Sequence, residues 1–352
     1  MDRPTIAIYD GNVERYEAGR PPVHLERAQR FAATRLADLP VLDAGCGPGG
    51  YLPYLPRPVV ALDAAAGMVA RAGDVASDAA GVQGDLGALP FRRGALGGAW
   101  ARNSYVHVPS TKLPSALRDL HRSLAVGAPC VASFVPGDGD GPIANDDMPG
   151  RFFARWSAER LADVFTGAGF ADVVVDGEQP LFVTAHRART LADTVGAQMR
   201  VLICGLNPSL DAADAGYGFA GPSNRFWKAA LASGLVSAAR DPARALSVDG
   251  VGMTDMVKRA TPRSSEISAD EYRRGAERVR RLVEWLQPAA VCFVGLEGWR
   301  TAVDRRARPG WQPDRFGDRP AYVMPSTSGL NASVRIDDLI AHLVAAQGAT
   351  SS

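Results

Sequence analysis

The chain has 352 residues, 46% of them hydrophobic and 22% charged, with a formal net charge of +1. That balance excludes a disordered chain, and no apolar run reaches the roughly 18 residues that suggest a membrane span. The length exceeds one ordinary core and predicts two domains, residues 1–188 and 189–352. Charge is uneven between them. Residues 1–188 carry 18 Lys and Arg against 21 Asp and Glu, net −3, and residues 189–352 carry 21 against 17, net +4. The second half is mildly basic, as a nucleic-acid binder would be. Lys112, Lys228 and Lys258 are the only lysines, and Arg with abundant Ala and Gly suggests a GC-rich bacterial genome. Cys46, Cys130, Cys204 and Cys292 lie far apart, without the paired spacing of a zinc or iron–sulfur site. Buried free thiols in a reducing cytoplasm, with no metal, are the expectation. The N-terminus has no basic stretch followed by an apolar run, so no secretory signal is expected.

In chain order, Pro40–Ala44 and Val59–Asp63 read as short strands. Leu96–Tyr105 and Pro129–Phe134 read as further strands, with helices over Leu113–Leu124 and Ser157–Thr166. Such alternation predicts a parallel, doubly wound sheet. Residues 136–149, rich in Gly, Asp and Pro, read as a flexible loop, and Val173–Asp176 with Leu181–Ala185 as an antiparallel closing pair. After a link over residues 187–198, a second alternation begins at Met199–Cys204. It continues with helices over Asn224–Ser233 and Ala269–Leu286, strands over Ala290–Val294 and Ala321–Met324, and a last helix over Asp337–Ala346. The overall expectation is α/β, two domains, each a largely parallel sheet with helices on both faces.

The first motif is Val41-Leu42-Asp43-Ala44-Gly45-Cys46-Gly47-Pro48-Gly49-Gly50, a strand running into a Gly-rich turn. Glycines there permit a tight turn and close backbone approach to a ligand. Asp63 ends the next strand 18 residues after Gly45, near the offset at which a carboxylate meets ribose hydroxyls. Gly84-Asp85 offers a third polar group. This order of features resembles the class I S-adenosylmethionine-dependent methyltransferases over about residues 5–187. The resemblance implies a Rossmann-like fold and S-adenosyl-L-methionine held by Asp43, Gly45, Gly47, Gly49, Asp63 and Asp85. The methyl acceptor is not legible. Residues 102–109 lack both the Asp-Pro-Pro-Tyr signature of amino-methylating DNA enzymes and the Pro-Cys nucleophile of cytosine methylation. His107 is either a general base or a packing residue.

The second half carries Gly205-Leu206-Asn207-Pro208-Ser209 just past a strand, the carboxyl edge where parallel sheets build sites. Then come Gly216-Tyr217-Gly218-Phe219, Asn224-Arg225-Phe226-Trp227, Gly252-Met253-Thr254-Asp255, and Met324-Pro325-Ser326-Thr327-Ser328-Gly329-Leu330-Asn331. Together, over about residues 190–345, they resemble the mismatch-specific uracil/thymine branch of the uracil-DNA glycosylase superfamily. The resemblance implies base flipping from duplex DNA and hydrolysis of the N-glycosidic bond at G:U or G:T mismatches without a cofactor. By the same resemblance Asn207 positions the water, and Gly216, Tyr217, Phe219 and Ser326 hold the base. Ser328, Gly329 and Leu330 then contact phosphate and enter the duplex as a wedge. Ser209 stands where relatives have Gly, and its hydroxyl is expected to reshape the pocket. Asn331-Ala332 stands where some relatives place a gap-filling Arg. The arginines 273, 274, 278, 280 and 281 read as a solvated helix face first and as phosphate contacts second. The expected setting is cytoplasmic and nucleoid-associated, with no membrane partner. The alternative reading is a small-molecule methyltransferase carrying a DNA-binding, catalytically weak glycosylase-like domain.

Overall fold

The computed structural model describes residues 2–331 and 333–348, so Ala332 lies outside the described residues. The chain divides into two compact units, Met1–Ala188 and Arg189–Ser352.

In the first unit the strands are β1 (Val41–Ala44), β2 (Val59–Asp63), β3 (Ala80–Gln83), β4 (Gly98–Ala101), β5 (Pro129–Pro136), β6 (Asp140–Gly141), β7 (Phe153–Trp156), β8 (Phe170–Asp176) and β9 (Leu181–Arg187). They form one sheet in the order β3-β2-β1-β4-β5-β7-β6, with β9 pairing β5 and β8. Strands β3, β2, β1, β4 and β5 run parallel, and β9 runs antiparallel to β5 and β8. Central strands β1 and β4 are buried along their whole length, which is why they read as apolar runs interrupted only by Asp43. Strand order 2-1-4 places the reversal between β1 and β4, so the carboxyl ends of these strands open a crevice.

Three features differ from the sequence expectation. The strand read over Leu96–Tyr105 stops at Ala101, and Tyr105–His107 is a single 3-10 turn. The segment read as a loop contains β6, paired to β7. Before β1 lie three short helices, Arg3–Asp10, Val13–Gly19 and Leu25–Thr34. Asp2 caps the first, its carboxylate accepting from the Thr5 amide at 2.9 Å.

The second unit contains β10 (Val201–Gly205), β11 (Val251–Asp255), β12 (Val291–Val294), β13 (Gly310–Trp311) and β14 (Ala321–Met324) in the order β11-β10-β12-β14-β13. All pairings are parallel except β13 with β14. One side of the sheet packs on the helix Ala269–Leu286 and the other on Phe226–Ala232 and Ile336–Ala346. Ser268 and Glu271 form a capping box at the start of the long helix. The segment read as a link belongs largely to this unit: Val195 is fully buried in its core, and Thr194 bridges to Met253. All four cysteines are buried and free. Among the described residues no helix is long and apolar enough to cross a membrane.

Candidate functional sites

In the first unit a cavity of about 480 Å³ opens at the carboxyl edge of β1, lined by Asp43, Gly45 and Gly47. A second cavity, lined by Gly45, Gly47, Asp63, Met68 and Leu86, adjoins the same turn. Gly45 has φ +76°, and a Cβ there would sit 2.2 Å from the Ser104 Cβ. Only glycine allows the turn to lie against that residue. Asp63 fixes the turn, its Oδ2 accepting from Gly47 N and its Oδ1 from Ala65 N, each at 2.9 Å. Asp43 is 2% exposed and its Oδ2 has no partner. Burial, then the Asp63 carboxylate, push the Asp43 carboxyl up to about 8. Arg102, which lines both cavities, likewise has a buried Nε without a partner. Gly49 and Asp85 do not line either cavity. Gly49 packs toward Ala72, and Asp85 accepts from the Gly87 amide at 2.7 Å.

Beyond that turn, His107 is held between two partners. Its Nδ1 lies 2.6 Å from the Phe152 carbonyl and its Nε2 2.7 Å from the Tyr9 hydroxyl. A carbonyl can only accept, so Nδ1 carries the proton and Nε2 accepts from Tyr9. Burial pushes the His107 pKa down to about 4, so the ring is neutral.

In the second unit, Asn207 follows β10 and its amide orientation is fixed by its surroundings. Nδ2 donates toward the Pro208 carbonyl at 3.2 Å, the Arg259 carbonyl at 3.1 Å and Thr261 Oγ1 at 2.8 Å. Two of these are carbonyl oxygens, which only accept, so the nitrogen faces them and Oδ1 is left as an acceptor. Ser209 does not line the pocket beside Asp255. It is the N-cap of the helix Leu210–Ala215, its Oγ accepting from Ala212 N at 3.1 Å.

A narrow pocket, about 20 Å³, is lined by Gly216, Tyr217, Phe219, Thr194 and Asp255, among others. Asn207 and Ser326 do not line it. The Gly216 amide donates to the Ala212 carbonyl and is spent on the helix end. Among the described residues, the amides of Tyr217, Gly218 and Phe219 have no acceptor. One face of Phe219 stacks on Phe226, with centroids 4.0 Å apart.

Asp255 was not singled out as a site residue from the sequence. It ends β11 beside Gly205, where a Cβ would lie 2.4 Å from its Oδ1. Burial raises its carboxyl to about 6, with Lys258 opposing the shift. Behind it, Asp193 accepts from Thr254 Oγ1 at 2.7 Å, Lys258 Nζ at 2.8 Å and Arg278 Nη1 at 2.8 Å. Arg278 is therefore buried rather than on a solvated face. The signal was in the helical phase: Arg278 precedes buried Leu282 by four residues.

The loop after β14 projects outward and is held by its own hydrogen bonds and by Arg225. Leu330 is 95% exposed at its tip. Ser326 Oγ accepts from Ser328 N, and Ser328 Oγ from Leu330 N, each at 3.3 Å. Arg225 props the loop, donating to the carbonyls of Ser328 at 3.1 Å, Asn331 at 2.8 Å and Val334.

The family model for the uracil DNA glycosylase superfamily matches residues 192–343, and that for a methyltransferase domain matches residues 41–127. Among solved structures the chain is similar to a SAM-dependent methyltransferase from Methanosarcina mazei. That pair is 13% identical over 48% of this chain and 99% of the other, with TM-score 0.41. DhpI in complex with SAH is 19% identical over 53% of this chain and 99% of its own, TM-score 0.42. The 1,6-didemethyltoxoflavin-N1-methyltransferase of Burkholderia thailandensis is 20% identical over 53% of this chain and 92% of its own, TM-score 0.40. The chain thus joins a methyltransferase domain in its first unit to a domain of the uracil DNA glycosylase superfamily in its second.

Proposed function

We propose that the second unit hydrolyses the N-glycosidic bond of uracil in G-mismatched duplex DNA, and that the first transfers a methyl group from S-adenosyl-L-methionine. Thymine or a modified pyrimidine are further candidate bases. The observation that carries the reading is the Asn207 amide, pinned through Nδ2 with Oδ1 left to accept from a water. An amide is too weak a base to take the proton, so it works by orientation. The C1′–N1 bond breaks with its electron pair on the base, water supplies the new C1′ oxygen, and its proton ends on the base. The free amides of Tyr217, Gly218 and Phe219 are suited to hold the departing anion. The open face of Phe219 would stack on the pyrimidine. Asp255, when ionised, favours a base that presents an N–H and disfavours one that presents a carbonyl oxygen. Leu330, exposed on a loop braced by Arg225, fits the wedge that fills the vacated stack.

The residues of the first unit fit S-adenosylmethionine. Asp43, with Oδ2 unpartnered, and Arg102, with Nε unpartnered, face one cavity and suit the ammonium and carboxylate of an amino-acid tail, the bound ammonium favouring the ionised carboxyl. Asp63, at the end of β2, suits the ribose hydroxyls. The bound sulfonium would supply an electrophilic methyl group.

The narrowness of the base pocket favours the alternative in which the second unit binds DNA without excising. Release of base from labelled G:U, G:T and A:U duplexes decides. Release at G:U ahead of A:U supports the proposal, and DNA binding without release at any of them supports the alternative.

A further inference from the structure

The two cavities of the first unit share a small set of lining residues, including Tyr9, Arg102 and His107. With the amino-acid tail of the donor in the first space and its ribose in the second, the residues facing both lie where the sulfonium between them, and so its methyl group, would sit. Among them, His107 alone presents a neutral nitrogen lone pair, because the Phe152 carbonyl fixes the proton on Nδ1. His107 is only 3% exposed, and the Tyr9 hydroxyl stands over its Nε2 at 2.7 Å. An acceptor therefore meets Tyr9 first.

The Tyr9 hydroxyl donates to His107 and accepts from Arg151 Nη1 at 3.0 Å, which leaves it one lone pair. Arg151 is itself buried, paired to Asp146 and to Asp147, and its guanidinium lies over the Tyr9 and Phe153 rings. The hydroxyl is thus held from two sides in a fixed direction.

We infer that Tyr9 and His107 form a proton relay that activates a neutral hydroxyl acceptor, a phenol or an alcohol, for methylation in the first unit. The inference rests on the proposed S-adenosylmethionine reading of this unit. As the acceptor oxygen forms its bond to the methyl carbon, the S–C electron pair stays on sulfur and leaves a thioether. The acceptor proton passes to the Tyr9 oxygen, and the Tyr9 proton passes to His107 Nε2. The proton on the resulting imidazolium is the only other product, so charge and atoms balance. The chemistry selects a hydroxyl for two reasons. A neutral amine already offers a lone pair and a carboxylate needs no base, so neither uses a relay before attack. An ammonium would also meet the Arg151 guanidinium beside Tyr9.

Groups facing His107 are Tyr9 and Asp2 from the N-terminal segment, and Arg151 and Asp146 from the β6–β7 connection. Arg151 opposes its protonation and Asp146 and Asp2 favour it.

The test uses the full chain, tritiated S-adenosylmethionine, and catechol, benzyl alcohol and 4-nitrophenol as acceptors, with Tyr9→Phe and His107→Gln beside the wild type. Cofactor binding is measured by calorimetry. Side-chain ¹⁵N spectra of the five histidines report the tautomer of His107 without any turnover. We expect cofactor binding within a few-fold in Tyr9→Phe, and transfer to catechol reduced by roughly 10²-fold or more in both variants. The loss should shrink for 4-nitrophenol, which is largely ionised in mildly alkaline buffer, a pattern that a merely structural role would not produce. In His107→Gln the catechol rate should follow hydroxide concentration, whereas the wild type stays flat near neutrality. The spectra should show a neutral Nδ1–H ring whose Nε2 signal shifts in Tyr9→Phe. Transfer to none of the three hydroxyl compounds with cofactor binding intact overturns the inference. So do equal losses for catechol and 4-nitrophenol, or a His107 that titrates at its ordinary value. A wild type that binds no S-adenosylmethionine fails at the earlier step and removes the methyltransferase reading itself.

Discussion

Asp193 holds the second unit together at the end of β11, and its replacement by Asn tests that role. Its carboxylate, 3% exposed, is the common acceptor for Thr254, Lys258 and Arg278. The side chains of Lys258 and Arg278 are themselves only 9% and 7% exposed. Asn at this position takes the shared carboxylate away from two buried cations, with Asp255 Oδ2 still 4.0 Å from Lys258. Breaking a buried pair in this way costs about 3–5 kcal/mol. For a unit of this size each kcal/mol lowers the melting temperature by roughly 2–4 °C, so a fall of about 6 °C or more is expected. Calorimetry should follow the transition of the second unit, since two domains need not melt together. The triple replacement Asp193→Leu, Lys258→Met and Arg278→Met should recover most of the loss, because an apolar triad leaves no charge stranded. Burial alone would raise the Asp193 carboxyl, but Arg278 and Lys258 outweigh it and hold it below the usual range. A depressed folded value means the stabilisation is present above about pH 4 and fades as pH falls through the folded value. The Asn variant should therefore approach the wild type in acid. A loss under about 1 kcal/mol at neutral pH would refute the reasoning.

The remaining predictions concern the two sites. Asp255, raised to about 6 by burial, should impose a pH dependence on uracil excision, the rate falling as the carboxylate is protonated below that value. Lys258, Asp193 and Arg278 face it and set its position. In Asp255→Asn this step should flatten, and a step that persists contradicts the assignment. Leu330→Ala should leave stability within about 0.5 kcal/mol, because the side chain is exposed. It should nevertheless slow excision about tenfold or more, with 2-aminopurine fluorescence showing a less populated flipped state. Asp43→Asn should weaken S-adenosylmethionine by about tenfold to a hundredfold in calorimetry. Because the folded Asp43 value is raised to about 8, folding takes up a proton and stability falls as pH rises from about 4 towards 8. The Asn variant should lose that slope, and unchanged cofactor affinity would remove Asp43 from the site.

Much of this architecture was legible because burial leaves a period in the sequence. Fully buried strands such as Val41–Ala44 and Ala321–Met324 are short apolar runs, and the helix Ala269–Leu286 carries both its capping box and its apolar stripe. The three helices before β1 left no such trace, being short and weakly apolar, so Tyr9 had no reason to stand beside His107. That meeting spans 98 residues and is made by tertiary packing alone. Asp255 and Asp193 escaped for a related reason. Lys258 lies three residues after Asp255, but Asp193 and Arg278 come from 62 residues before it and 23 after it, so the cluster is made by tertiary packing. Arg278 was obscured by its own neighbours, since a run of arginines suggests a solvated face until the helix phase is counted. Ser209 has a local role that its place in the motif hides, the cap of the helix Leu210–Ala215. A serine before a helix is first of all a cap.

The proposed base excision rests most directly on Asn207. Single-turnover release of uracil from a G:U duplex should be compared for the wild type and Asn207→Ala at matched DNA occupancy. Release by the wild type is expected, with a loss of roughly a hundredfold or more in the variant and DNA binding retained. Undiminished release by Asn207→Ala, or no release by a wild type that binds the duplex, would contradict it.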